Sequence, residues 1–281
     1  MNIRIISPAG HCASEIIDKG VETLRSWGHV VSLSEHAKGK YGRFAGTAEE
    51  RAKDIIDALE DSNVDILYAS RGGYGCMQIL DKIPVKLIAK SGKPIFGYSD
   101  ITALHALWQK AGVPSVHAHM MKHLGEKPEH TTSLAVKELL ESLQSSDNMG
   151  RKEPVLTNSA LTKAMNKSFE YPLIGGNLAV LSGLHGTEYD FDYKDKILFI
   201  EDIQESPYKV DRMMNQLRLG GVFNQIKGLV VGQFTGCDED PEMPKPLYET
   251  MKEMVEPYGI QMYFGAPIGH VVDNIPIVEG V

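Results

Sequence analysis

Residues 94–107 read Pro-Ile-Phe-Gly-Tyr-Ser-Asp-Ile-Thr-Ala-Leu-His-Ala-Leu. Ile95 and Phe96, bounded by Pro94 and Gly97, predict a short buried strand, because β-branched and aromatic side chains suit a pleated surface. Ile101, Leu104, Ala106 and Leu107 fall close to helical spacing and predict a helix directly after it. Ser99 therefore stands on a strand-to-helix corner, and Asp100 stands at the helix start, where a carboxylate suits the positive end of the dipole. A serine on such a corner presents its hydroxyl at the carboxyl edge of a sheet, with the amide of the next residue beside it, as an acyl-transfer nucleophile requires. The G-x-S-x-G elbow pattern is not met, since Ile101 occupies the last glycine position. Two roles fit Ser99 from these residues alone: nucleophile, or cap of the following helix.

Outward from this corner, the chain alternates between the two periods. Asn2 to Ile6 predicts a strand, Ala13 to Trp27 a helix, His29 to Leu33 a strand and Val64 to Ala69 another. Thr47 with Glu50 three residues on makes a capping box for a helix over 48–59. Arg71-Gly72-Gly73-Tyr74-Gly75 follows the third strand and leads into a short helix over 76–80. Pro114 to His117 predicts a fifth strand and Thr132 to Leu143 a helix. Parallel neighbours need crossover connections, so this alternation predicts an α/β fold with a parallel sheet covered on both faces. Ligands bind outside the carboxyl ends of such strands, where Ser7, Gly72, Ser99 and His117 all fall.

A second unit is expected after a weakly periodic connection. The spacing divides the chain into 1–145, a linker at 146–168 and a smaller α/β domain at 169–281. That domain opens with Tyr171-Pro172-Leu173-Ile174-Gly175-Gly176-Asn177. It continues with a strand ending in Glu201-Asp202, a helix started by Pro207, a strand over 226–234, a helix over 247–258 and a strand over 262–264. A further strand is expected beyond Asn274-Ile275-Pro276-Ile277, so the end at Val281 predicts a second domain that is cut short.

Composition narrows the partners. Lys and Arg number 29 against 37 Asp and Glu, a net charge of −8 without a basic run, which disfavours nucleic acid and anionic membranes. The N-terminus lacks the charged and apolar regions of a signal peptide, and no apolar run spans a membrane. Cys12, Cys76 and Cys237 are odd in number and widely spaced, arguing against disulfides or structural zinc and for a cytoplasmic setting. Cys76, in a glycine-rich loop, is either reactive or a small buried residue.

A serine nucleophile needs a base and a group to fix the base's tautomer. The loop-borne His270, between Gly269 and Val271, and the strand-end acids Glu201 and Asp202 are candidates, although each alone is an ordinary structural residue type. The 71–75 loop fails as a dinucleotide fingerprint, because Gln78 stands where a third glycine belongs. As an oxyanion loop it fits better, and as a plain turn it also fits. His117, His119 and His123 cluster, with His119 and His123 at i, i+4, but no H-E-x-x-H accompanies them, and no metal is expected.

Taken in order, the motifs resemble those of the LD-carboxypeptidases, serine peptidases that include murein tetrapeptide carboxypeptidases and microcin self-immunity proteins. The resemblance rests on Ser7-Pro8, Arg71-Gly72-Gly73-Tyr74-Gly75, Gly97-Tyr98-Ser99-Asp100, Gly175-Gly176-Asn177-Leu178 and Phe199-Ile200-Glu201-Asp202. Pro207-Tyr208, Asp211-Arg212 and Gly269-His270 with Asn274 complete it. It implies a flavodoxin-like N-terminal domain, related to class I glutamine amidotransferases, with a smaller C-terminal domain. It implies Ser99 as nucleophile, His270 as base and then acid, Glu201 orienting His270, and the Gly73 and Asp100 amides as oxyanion donors. Asn177 joins the substrate-binding set, and Arg71 is either the cation for a terminal carboxylate or a structural ion-pair member. The implied reaction removes terminal D-alanine from the L-centre of a diamino acid in murein tetrapeptides, in peptidoglycan recycling, by a cofactor-free homodimer. The alternatives are hydrolysis of an acylated aspartyl-adenylate, a small-molecule binding module, and an amidotransferase-like enzyme using Cys76.

Overall fold

The structure is a computed structural model that describes residues 1–148, 158–237 and 239–280. In chain order the first half contains β1 (Asn2–Ile6), α1 (Ser14–Ser26), β2 (Val30–Leu33), α2 (Ala48–Glu60), β3 (Ile66–Ala69), α3 (Val85–Ser91), β4 (Ile95–Gly97), α4 (Thr102–Ala111), β5 (Ser115–His117), α5 (Met121–Glu126) and α6 (Thr131–Asn148). The second half contains α7 (Ser159–Met165), β6 (Leu173–Asn177), α8 (Leu178–Leu184), β7 (Ile197–Ile203), α9 (Pro207–Leu219), β8 (Gly228–Thr235), α10 (Leu247–Val255), β9 (Gln261–Phe264) and β10 (Ile277–Glu279).

Two sheets result, in the orders β10-β5-β4-β3-β1-β2 and β6-β7-β8-β9. Strands β1 to β5 run parallel, as do β6 to β9, and β10 alone lies antiparallel, on β5. The fold is thus α/β, with a mostly parallel sheet and a second, smaller parallel sheet. Burial follows the sequence pattern. All four residues of β3 and all three of β4 are buried, as strands covered on both faces must be. The capping box forms as spelled: Thr47 Oγ1 accepts from the Glu50 amide at 3.2 Å and Glu50 Oε2 from the Thr47 amide at 2.8 Å.

Three expectations change. A strand after Asn274 is present at Ile277–Glu279, and it joins the first sheet rather than the second. Its three residues are too few to show alternation, and its partner lies about 160 positions earlier, beyond any local pattern. The connection expected at 146–168 contains α7, whose preceding Asn158 brackets the Val278 backbone with two hydrogen bonds, at 2.9 and 2.7 Å; residues 149–157 of it lie outside the described residues. The short helix after the glycine loop is a 3₁₀ helix, Cys76–Lys82.

One apolar cluster runs through both halves, including Leu104 and Leu107 of α4 with Ile174 of β6 and Leu181 of α8. The Asn177 amide donates to Thr102 Oγ1 at 3.0 Å, and Gly280 N to Leu173 O at 3.0 Å. These contacts fix the end of β6 against the helix behind Ser99. No helix among the described residues is long and apolar enough to cross a membrane.

Candidate active site

Ser99 has φ of 64°, in the left-handed region that few residues with a side chain occupy. Such strain persists only where the surroundings over-determine it. The cap reading of Ser99 fails, since neither the 3₁₀ turn Ser99–Ile101 nor α4 receives a side-chain cap. Asp100 also departs from the helix-start role: its Oδ2 accepts from the Cys76 amide at 2.8 Å, and burial raises its carboxyl above the usual range. That bond pins the glycine loop to the elbow. Among the described residues no hydrogen bond engages the amides of Gly73 and Asp100, both expected as oxyanion donors.

The acid and base come together from distant parts of the chain. His270 Nδ1 lies 2.7 Å from Glu201 Oε2, across 69 positions. Glu201 is fully buried, and its other oxygen has no hydrogen-bond partner among the described residues. It occupies an irregular point of the β7–β8 ladder, where one residue of β7 faces two of β8, a bulge that re-aims a side chain. The loop carrying His270 closes onto this point because Gly269 has φ of 122° and lacks a side chain; a Cβ there would lie 2.9 Å from both Glu201 Cβ and Oε2. Gly269 N donates to Asn274 Oδ1 at 2.9 Å, which holds the turn.

His270 then reaches the elbow through Tyr98, the residue before Ser99, with ring centroids 4.9 Å apart. Among the described residues Ser99 Oγ has no hydrogen-bond partner, so the link from hydroxyl to imidazole is not closed in this arrangement. Tyr98 Oη lies 3.1 Å from His123 Nε2, and burial raises the phenol above its ordinary value, keeping it neutral. His119 stacks on His123 with centroids 4.3 Å apart. Burial lowers His119 to about 4 and His123 to about 3, so both are neutral imidazoles packed beside the site. Cys76 is fully buried and its thiol is pushed well above the ordinary value by burial and by Asp100. It is not an available nucleophile.

Asn177, expected at the substrate, has its side chain committed elsewhere: Oδ1 caps α8 through the Val180 amide at 3.2 Å, and Nδ2 donates to Asp202 Oδ1 at 2.8 Å. Asp202 also accepts from the Ala179 and Ile203 amides, and burial raises its carboxyl to about 6. Arg71 donates to His11 O at 3.2 Å and forms no ion pair among the described residues, which removes its structural ion-pair reading. The sequence reading missed Arg51. It is 1% exposed and donates to the carbonyls of Gly46, Pro8 and Gly75 and to Gln78 Oε1. Its place on the Arg51–Ile55–Leu59 row of α2, otherwise apolar, was the available signal.

A serine on a strained strand-to-helix turn, with a carboxylate-oriented histidine brought from a second parallel sheet, sets the chain among two-sheet α/β proteins and offers the groups that acyl transfer requires. Comparison with known proteins narrows the class. Residues 3–118 match the LD-carboxypeptidase N-terminal domain and residues 171–281 the LD-carboxypeptidase C-terminal domain, so the chain belongs to the LD-carboxypeptidase family. It is 32% identical to a protein of Bacillus subtilis named probable murein peptide carboxypeptidase, over 99% of this chain and 86% of that one. It is 28% identical to the murein tetrapeptide carboxypeptidase of Pseudomonas aeruginosa, over 97% and 89%. The crystal structure of muramoyltetrapeptide carboxypeptidase from Oxalobacter formigenes superposes with a TM-score of 0.81 at 27% identity, covering 100% of this chain and 93% of that one. MccF in complex with glutamyl sulfamoyl guanosine shares the fold, with a TM-score of 0.80 at 22% identity, over 100% and 91%.

Proposed function

We propose that this chain is a serine LD-carboxypeptidase that releases terminal D-alanine from murein tetrapeptides, and that Ser99, His270 and Glu201 are its catalytic residues. The observation that carries the reading is the His270–Glu201 pair, 2.7 Å apart and packed against the residue preceding a strained serine. Glu201 holds the proton on Nδ1 and leaves Nε2 as the base. Nε2 takes the Ser99 proton as Oγ attacks the amide carbonyl between the L-centre of the diamino acid and D-alanine. The amides of Gly73 and Asp100 receive the oxyanion, each such donor stabilising the transition state by roughly 2.7 to 4 kcal/mol. His270 returns the proton to the departing amine of D-alanine, and the acyl-enzyme is then hydrolysed by a water activated on the same nitrogen. Arg71, without an ion-pair partner among the described residues, receives the terminal carboxylate; Asn177 acts at one remove, by fixing Asp202 beside Glu201.

In this reading residues 1–145 carry the nucleophile, 146–168 connect, and 169–281 supply glutamate and histidine. The order β2-β1-β3-β4-β5 supports a flavodoxin-like first domain. A cytoplasmic homodimer accompanies the reading, tested by cell fractionation and light scattering. The decisive experiment labels the wild-type protein and Ser99→Ala with a fluorophosphonate and assays both against a murein tetrapeptide and an acylated aspartyl-adenylate. Labelling and D-alanine release confined to wild type are expected. An unlabelled Ser99, or release of D-alanine by Ser99→Ala, overturns the serine mechanism, and turnover of the adenylate alone overturns the substrate.

A further inference from the structure

We infer that a two-arginine recess beside the glycine loop, in which Arg43 joins Arg71, holds the terminal carboxylate of the substrate. This inference rests on the peptidase reading above and adds to it a residue, Arg43.

The recess has a volume of about 290 Å³ and is lined by Gly10, His11, Arg43, Arg71, Gly73 and Tyr74. It is contiguous with the reaction centre through the backbone: a Cβ on Gly72 would lie 2.8 Å from Ser99 Cβ, and one on Gly73 4.0 Å from Arg71 Nε. A carboxylate held by Arg71 is therefore beside the amide proposed to hold the oxyanion. Three loops meet here. Gly10 N donates to Gly72 O at 3.1 Å and His11 N to Arg43 O at 3.1 Å, so the loop after β1 ties the Arg43 loop to the Arg71 loop.

The recess is a built feature. Buried Arg51 binds the carbonyls of Pro8, Gly46 and Gly75, one from each of the three loops, and its guanidinium lies 4.9 Å from the Phe44 ring centroid next to Arg43. Neither Arg43 nor Arg71 forms an ion pair among the described residues, in a protein whose net charge is −8. Two uncompensated guanidiniums in an otherwise acidic molecule concentrate positive potential at one mouth. Their planar donor sets match a carboxylate bidentately, which a lysine would not do. The carboxylate nearest the scissile amide on the leaving side is that of the departing D-amino acid.

Calorimetric titration of the Ser99→Ala protein tests this without turnover, using the diaminopimelate-containing tetrapeptide with a free terminal carboxylate and its C-terminal amide. The free acid is expected to bind more tightly by roughly 10- to 100-fold, the range for one charge-assisted hydrogen-bonded contact. Arg43→Gln and Arg71→Gln, each added to Ser99→Ala, are expected to erase that preference while leaving the affinity for the amide unchanged. Arg71→Lys, which keeps the charge and the fold, is expected to retain part of it. Equal affinities for acid and amide in Ser99→Ala, or equal weakening of both ligands by the arginine substitutions, overturn the inference. A response of the arginine variants to replacement of diaminopimelate by lysine, rather than to amidation, assigns the recess to the acyl side and overturns it as well. Because binding is read on an inactive protein, these failures are distinct from failure of the peptidase reading, which shows as absence of Ser99 labelling in wild type.

Discussion

Gly72 and Ser99 approach so closely that a Cβ on Gly72 would lie 2.8 Å from Ser99 Cβ and 3.0 Å from its Oγ. The glycine loop and the elbow therefore form one unit, clamped again where Asp100 accepts from the Cys76 amide. Gly72→Ala forces one of two tightly held backbones to move. Overpacking of this kind costs about 1–3 kcal/mol, and a displacement near 1 Å at a reacting atom lowers turnover by roughly 10²-fold. Thermal unfolding and kcat on the tetrapeptide check this. An alanine variant with wild-type turnover would mean that the loop does not set the position of Ser99.

The His270–Glu201 pair predicts a loss specific to chemistry. Glu201→Gln keeps the volume of a fully buried side chain but presents an N–H or a weaker acceptor to Nδ1, and the imidazole tautomer is no longer fixed. A fall in kcat of roughly 10³- to 10⁴-fold is expected, with little change in KM. Circular dichroism and the melting temperature should remain close to wild type. Activity within tenfold of wild type would remove Glu201 from the mechanism.

Much of this was legible in the residues. Thr47 and Glu50 spelled a helix start, Pro207 another, and Pro94 to Leu107 spelled a strand, a corner and a helix, because each signal is local. What stayed hidden depends on chain segments far apart. Glu201 and His270 are ordinary residues until Gly269 lets one loop close over one bulge. Asn177, read from its motif as a substrate contact, turns out to cap the very helix that the motif begins. Arg51 stands on the buried face of α2 and declares its role only through three carbonyls on other loops.

The buried imidazoles beside Tyr98 predict an acid-sensitive fold. His119 falls from its ordinary 6.5 to about 4 in the folded protein, through burial. Between those values the unfolded chain binds the proton and the folded one does not, so stability is full above pH 6.5 and is lost as pH falls toward 4. The loss attributable to His119 is on the order of 3 kcal/mol. Urea unfolding at pH 7, 5.5 and 4.5 should show a shallower acid slope for His119→Gln than for wild type. Parallel slopes would rule out His119 as a source of the acid lability.

The last prediction concerns a second acid–imidazole pair, behind the elbow. His105 Nδ1 and Glu279 Oε1 are 3.6 Å apart, too far for a hydrogen bond, both residues are fully enclosed, and neither atom has a hydrogen-bond partner among the described residues. Glu279 Oε2 accepts from Gly175 N at 3.1 Å, and His105 Nε2 lies 3.0 Å from Gly97 O. The pair thus links β10, β6 and β4, the strand that leads to Ser99. Burial raises the Glu279 carboxyl well above its ordinary value and lowers His105 to about 4. His105 is therefore neutral at pH 7, with Nε2–H donating to Gly97 O, and burial favours the protonated carboxyl of Glu279 facing Nδ1. Glu279→Gln keeps an acceptor for Gly175 and an uncharged group facing Nδ1, whereas Glu279→Ala leaves the Gly175 N–H without an acceptor and opens a cavity beside His105. The alanine variant is expected to lose about 2–4 kcal/mol and the glutamine variant less than about 1 kcal/mol. The raised carboxyl means that the folded protein holds a proton the unfolded chain has released, so above pH 6.5, where His105 is neutral in both states, its contribution falls as pH rises. Glu279→Gln should therefore gain on wild type between pH 7 and pH 9 in urea unfolding. If the glutamine variant is as unstable as the alanine variant at both pH values, the pair is ionic and the uncharged arrangement is wrong.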